Sequence, residues 1–214
     1  GNRGKREREM ELNYVRNVCA NLLAKLLRQL VRGAGVLPRD VYRFLAAVAP
    51  ICCVDAIPIR SRGGRWQVGL IRRNTGFYTG KLFFVGGRVM FGEHIERALR
   101  RHVLETLGGG MEFFSGLSWD HPFLIAQYKP MGLPEDGFTH EPSKHSIGLT
   151  YLIRLTDRGV TMGRTSYGGQ EASELLWFFL DEIPPPEQFA YGGHPTAEKI
   201  IAHLENLSRE GENR

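Results

Sequence analysis

Gly86, Gly87 and Arg88 end a short apolar run, KLFFVGGR, and after Val89, Met90 and Phe91 comes a charged amphipathic stretch, GEHIERALRRHVLETLGGG. Glycines at such a turn let backbone groups approach phosphate oxygens, because no Cβ stands in the way. On a helix, residues three and four apart are neighbours, so Arg101 braces Glu105, and His102, Glu105 and Thr106 cluster. Ile95, Ala98, Leu99 and Val103 supply the apolar stripe that docks on a sheet. Taken alone, Glu93, Arg97, Arg101 and Glu105 read as the charge ladder of an exposed helix. The glycines ahead of it tip the balance toward an anion site. In that site Arg88 and Glu105 converge on one concavity that admits two bridged phosphorus centres.

The elements that must hold this unit follow from periodicity. Val15, Val18, Leu22, Leu23, Leu26, Leu27 and Leu30 recur at helical spacing, which predicts an amphipathic helix over 12–31 that stops at Gly33 and Gly35. It serves as a packing or dimer arm, and its length of apolar stripe suits a homodimer. The charged start, GNRGKRERE, is expected to fray. A short helix follows Pro38. ICCVDAIPI and WQVGLIRR read as a hairpin, and MEFFSGLSW, HPFLIAQY, SIGLTYLIRL and SELLWFFL as further strands. Residues 129–144 and 155–170 read as long polar loops. PPPEQFAYGGHP reads as a linker into a C-terminal helix, TAEKIIAHLENL. The whole implies a charged tail and helix over 1–36, one α/β domain over 37–209 and a disordered tail over 210–214. The domain is expected to hold a mixed sheet sandwiched between helices.

The chain has 214 residues, 42% hydrophobic and 24% charged, so it has material for a full core. The net charge of +5 suits an anionic ligand as well as it suits a solvated surface. No Lys/Arg run carries interleaved aromatics, so nucleic acid is not the expected partner. No apolar run has membrane-spanning length. Cys19, Cys52 and Cys53 lack metal spacing and read as small core residues of a cytoplasmic protein.

Residues 87–109, GRVMFGEHIERALRRHVLETLGG, resemble the Nudix box, G-x5-E-x7-R-E-U-x-E-E-x-G-U, with U a bulky aliphatic. Gly87, Glu93, Arg101, Val103, Glu105 and Gly108 match. His102, Thr106 and Gly109 stand where the pattern has glutamate, glutamate and an aliphatic residue. The resemblance implies a Nudix fold and a divalent cation, Mg2+ or Mn2+, held by Gly87, Glu105 and Glu171. The oxygen donors that such hard cations want are scarce here, since His102 and Thr106 replace two carboxylates.

Residues 37–177 are similar in particular to the GDP-mannose mannosyl hydrolase branch of that superfamily. By this resemblance Asp55, Arg73 and Arg88 contact the ligand, and Arg101 is a further arginine of the box helix. Arg73 and Arg88 have the bidentate fork that phosphates favour. Asp55, in an apolar strand, wants an arginine partner if buried, or else lies at a water-facing edge. Glu171 is the chosen general base, with Gln170 and Glu174 able to shift in and His140 and His145 as candidates on the long loop. His145 is carried as ligand-binding, and Glu105, Arg101 and Glu171 as catalytic.

Three activities follow from the resemblance and the residues. One is hydrolysis of a nucleoside diphosphate sugar or related derivative at its C–O bond, and another is hydrolysis at the P–O bond. The third is a weak or inactive Nudix domain that binds a nucleotide or partner protein.

Overall fold

The computed structural model describes residues 2–31, 38–108, 121–129, 139–140, 143–154 and 171–212. The chain divides into two compact units, Gly1–Leu45 and Ala46–Arg214.

In the first unit, α1 spans Asn2–Val31, so the helix runs back through the charged start that was expected to fray. Lys, Arg and Glu are good helix formers and outweigh Gly4, and no proline interrupts the run before Val31. The apolar stripe is exposed at Leu12, Val15, Val18, Leu22, Leu23 and Leu26. The short helix after Pro38 is α2, Arg39–Val48. No helix among the described residues is long and apolar enough to cross a membrane.

The second unit is built on β1 (Ile51–Arg62) and β2 (Arg65–Arg73), joined by a two-glycine turn at Gly63 and Gly64, both at positive φ. They pair antiparallel from Ile59↔Val68 to Arg62↔Arg65, as the hairpin reading requires. The run KLFFVGGR splits into β3 (Leu82–Phe83), paired with β2, and β4 (Val85–Arg88), paired with β1. β5 (Leu124–Lys129), β6 (Thr139–His140), β7 (Ser146–Arg154) and β8 (Ala172–Phe179) complete the sheet. Its order is β3-β2-β1-β7-β5-β6, with β4 on β1 and β8 on β2. β1 and β7 run parallel from Ile51↔Ser146 to Ile59↔Arg154.

One edge of β1 changes partner along its length. Cys53–Ala56 pair with β4, and Ile59–Arg62 pair with β2. Pro58 lies at the handover. A proline has no N–H to give to a ladder, so a position between partners costs it nothing there.

Side chains alternate across β1 and feed two cores. Val54 and Ala56 face α3 (Ile95–Leu107), where they pack with Ala98, Leu99, Val103 and Leu107. Ile57 and Ile59 face α4 (His194–Glu212), where they pack with Ala197, Ile200 and Leu204. Each fully buried aliphatic side chain contributes about 1.5–3 kcal/mol, which is what clamps both helices to the sheet. The result is the expected mixed sheet between helices.

Several expectations are corrected. Cys52 is exposed and Cys53 half-buried, because β1 is covered only from Val54 onward; Cys19 is exposed too. β6 lies inside the stretch read as loop. The supposed linker is part of the core: Phe189 and Ala190 are buried, and Leu82 bridges to Phe189. α4 continues to Glu212, through residues read as a tail. The strand read at 111–119 and the loop at 155–170 lie outside the described residues.

Candidate functional site

Three glycines bring backbone and carboxylate together. A Cβ on Gly86 would collide with the Val54 carbonyl oxygen and with Asp55 Oδ1. A Cβ on Gly148 would stand 2.7 Å from Asp55 Oδ2 and 3.1 Å from the Tyr128 ring. The Asp55 carboxylate therefore lies between β4 and β7, with Tyr128 across Gly148. A Cβ on Gly87 would stand 2.5 Å from His102 Cε1, so the imidazole lies flat over that glycine. Glycine is required at all three because the neighbours are backbone or buried rings.

These residues open onto a cavity of about 190 Å³ lined by Cys53, Asp55, Arg73, Phe83, Phe84, Gly86, Gly87, Tyr128, Lys144, Ser146, Glu171 and Tyr191. Asp55 is 5% exposed, and burial lifts its carboxyl to about 7; Lys144 opposes that rise and Glu171 adds to it. Burial also raises Glu171, against the pull of Arg73 and a hydrogen bond that Thr106 Oγ1 donates to it at 3.3 Å. Among the described residues the buried Tyr128 hydroxyl has no hydrogen-bond partner, and burial holds its pKa well above the usual value. Arg73, the last residue of β2, donates to the carbonyls of Phe77 (3.3 Å) and Thr75 (3.4 Å) and lies over the Tyr191 ring at 4.9 Å. Tyr78 and Tyr191 meet edge to face with φ of 64° and 53°, a conformation seldom adopted by bulky residues and one that marks strain beside the cavity.

On α3 the charged residues tie the glycine turn to the helix. Arg101 makes a two-pronged pair with Glu93, both bonds 2.8 Å, and donates to the Arg88 carbonyl at 3.1 Å. Glu93 also accepts from the Met90 N–H, and the Arg101 bond holds its pKa down. His102 Nε2 is 3.0 Å from the same Arg88 carbonyl. His102 is buried, which lowers its pKa, so the neutral ring donates Nε2–H. Glu105 sits 3.6 Å from Arg101 and lies close enough to Glu171 to raise that residue's pKa.

The donor chemistry does not fit a divalent cation held by the box residues. His102 has spent Nε2 on a carbonyl, Thr106 is 1% exposed and bonded to Glu171, and Glu105 faces a guanidinium. Among the described residues no group of three or more His, Cys, Asp or Glu is placed to hold a metal. Two carboxylates, Glu105 and Glu171, remain within electrostatic reach of each other.

Asp55, Arg73, Gly87 and Glu171 thus share one cavity wall. Arg101 and Glu105 do not line it; Arg101 acts on the turn through Glu93 and the Arg88 carbonyl. Arg88 does not line it either, although its register partner Cys53 does. Arg101 joins the two residues, donating to the Arg88 carbonyl at 3.1 Å and standing 3.6 Å from the Glu105 carboxylate. Asp55 is buried, and its cationic neighbour is Lys144 where an arginine was expected. His145 Nε2 lies 2.7 Å from Gln127 Nε2, while Lys144 and Ser146 on either side line the cavity. Glu174 is taken by Arg72 at 2.6 Å. Gln170 lies outside the described residues, as does the side chain of His140. Lys144, Tyr128 and Ser146 were missed, because only the β1–β7–β5 pairing brings them to Asp55. The positive φ of Tyr191 is likewise invisible in its letter.

The family model described as a domain of unknown function, DUF4916, matches residues 33–194. No curated protein matches the chain. Among solved structures, a candidate asymmetric diadenosine tetraphosphate (Ap4A) hydrolase from Jonesia denitrificans is 27% identical. It has a TM-score of 0.58 over 75% of this chain and 98% of its own. A candidate NUDIX hydrolase from Listeria monocytogenes is 18% identical, with a TM-score of 0.50 over 73% of this chain and 95% of its own. The fold is that of the Nudix hydrolases.

Proposed function

We propose, for a chain that belongs to the DUF4916 family and has the Nudix fold, that the cavity takes the diphosphate of a nucleoside diphosphate derivative, nucleotide sugars included, and hydrolyses it. One observation carries this reading. Two cations, Arg73 and Lys144, a buried acid, Asp55, and a half-buried one, Glu171, face one cavity beside the Gly86–Gly87 backbone. The likeness to a candidate Ap4A hydrolase supports a ligand with bridged phosphates.

In this reading Arg73 offers its fork, and Lys144 a point charge, to the phosphate oxygens. Glu171, made more basic by burial, accepts a proton from water as the water oxygen attacks. The attack breaks either the P–O bond or the sugar C–O bond. The departing phosphate takes the bonding pair, and its new charge falls beside Arg73. A screen of nucleoside diphosphate sugars and other diphosphates, with EDTA, Mg2+ or Mn2+ and scored by product mass, tests this. Labelled water tells the bonds apart, since label in the sugar means C–O cleavage and label in phosphate means P–O cleavage. Glu171→Gln should lower kcat by about 10²-fold or more. Neither turnover nor binding of any member would end the reading.

A second reading, a domain that binds such a ligand without turnover, is favoured by the two box positions that hold no carboxylate, His102 and Thr106. It predicts binding with no change in ligand mass, unaltered by Glu171→Gln or Glu105→Gln.

A further inference from the structure

We infer that this chain meets the ligand's diphosphate with side-chain cations, Arg73 and Lys144, and that His102 is a structural pin in the place where the box pattern has a carboxylate. The inference rests on the cavity being a diphosphate site, and it adds how the charge is met there.

Two contacts and its burial define the pin. The imidazole covers Gly87 so closely that a Cβ there would stand 2.5–3.1 Å from three ring atoms. Its Nε2 bonds the Arg88 carbonyl at 3.0 Å. It is 8% exposed, so removing the ring would leave a hole. Together with Arg101, which bonds the same carbonyl, it fixes the glycine turn on α3 from two sides. A metal ligand must offer a lone pair to an ion, and a neutral ring whose Nε2–H already donates to a carbonyl has only Nδ1 left. Hard cations bind that nitrogen poorly. Thr106 is similarly committed, its hydroxyl donated to Glu171.

The positive charge comes from elsewhere. Arg73 donates hydrogen bonds to the neutral carbonyls of Phe77 and Thr75, lies over the Tyr191 ring, and brings its charge to the cavity, where Glu171 feels it. Lys144 lines the same cavity and opposes the rise of the Asp55 pKa. Two cations lining one cavity suit a dianionic bridge as a metal would, and they keep that role when metal is removed.

The probes are Mn2+ alone, followed by electron paramagnetic resonance, and inorganic pyrophosphate, followed by calorimetry in EDTA. Wild type should bind no stoichiometric Mn2+ at sub-millimolar concentration and should bind pyrophosphate in EDTA. Arg73→Gln and Lys144→Gln should each weaken pyrophosphate by about tenfold or more. His102→Glu should gain Mn2+ affinity by about 10–100-fold. Should that variant misfold, wild type still decides the metal question. His102→Gln, which keeps an N–H for the Arg88 carbonyl, should fold and bind pyrophosphate as wild type does. A wild-type Mn2+ site abolished by Glu105→Gln, or pyrophosphate binding that requires a metal, would overturn the inference. Failure of pyrophosphate to bind under any condition would overturn the cation half together with the diphosphate reading. The Mn2+ result would then judge the pin by itself.

Discussion

Replacing Asp55 by Asn should stabilise the protein, and by an amount that depends on pH. The folded carboxyl titrates at about 7 against an ordinary 3.8, chiefly because it is buried. Between those values the folded chain keeps a proton that the unfolded chain has shed, so stability falls as pH rises through the window. The gap, at about 1.4 kcal/mol per pH unit, comes to about 4 kcal/mol at and above pH 7, and to nearly nothing below pH ~3.8. Asn has the shape of the neutral acid and never ionises, so it escapes this cost. Urea unfolding followed by tryptophan fluorescence at several pH values from 3.5 to 8 reads the difference directly. The two proteins should match at the acid end and separate toward neutrality. A constant difference across the range, or a less stable Asn variant at pH 7, would refute the claim that the carboxylate is held against its own solvation. The cost is tolerable if a ligand repays it, which is how destabilised groups persist at binding sites.

Gly87→Ala should push a methyl into the His102 ring and cost about 2–4 kcal/mol, from overpacking and the lost bond to the Arg88 carbonyl. Adding His102→Ala should cost less than the two changes separately, a coupling of about 1–3 kcal/mol in a double-mutant cycle; strict additivity would disprove the contact. Gly148→Ala should displace both Asp55 and Tyr128, lowering the urea midpoint by the equivalent of about 1–3 kcal/mol and abolishing ligand binding. Asp181→Ala, which removes the exposed Arg65 pair at 2.8 Å, should change stability by under about 1 kcal/mol, with the effect fading in high salt. A larger or salt-independent loss there would mean that solvent does not screen the pair.

The unit of glycine turn and amphipathic helix was legible because its signals are local. Gly92 at positive φ leads in, Gly108 caps the end, and Ala98, Leu99 and Val103 fall at helical spacing on the sheet. The β1–β2 hairpin was legible for the same reason. Glu171 could be picked out as a carboxylate just ahead of a strong strand, and that strand pairs with β2 where Arg73 stands. Lys144 and Tyr128 were beyond reach. Their place depends on β7 running parallel to β1 and β5 running back along β7, pairings made over long stretches of chain. His102 was counted by its box position, but its job is set by the ring lying across Gly87, a contact that spacing does not encode.

The handover on β1 also decides which changes in chain length the protein can absorb. The glycine turn and α3 take their register from Cys53–Ala56, the hairpin tip from Ile59–Arg62, and Pro58 between them has no N–H to carry an error across. Residues added at Gly63–Gly64, where a Cβ meets nothing within 4 Å, leave the cavity's spacing alone. One residue added between Asp55 and Pro58, with the hairpin half held in place, slides the half that carries Asp55 by a single step against β4 and β7. Alternation then turns the carboxylate to the α3 side of the sheet.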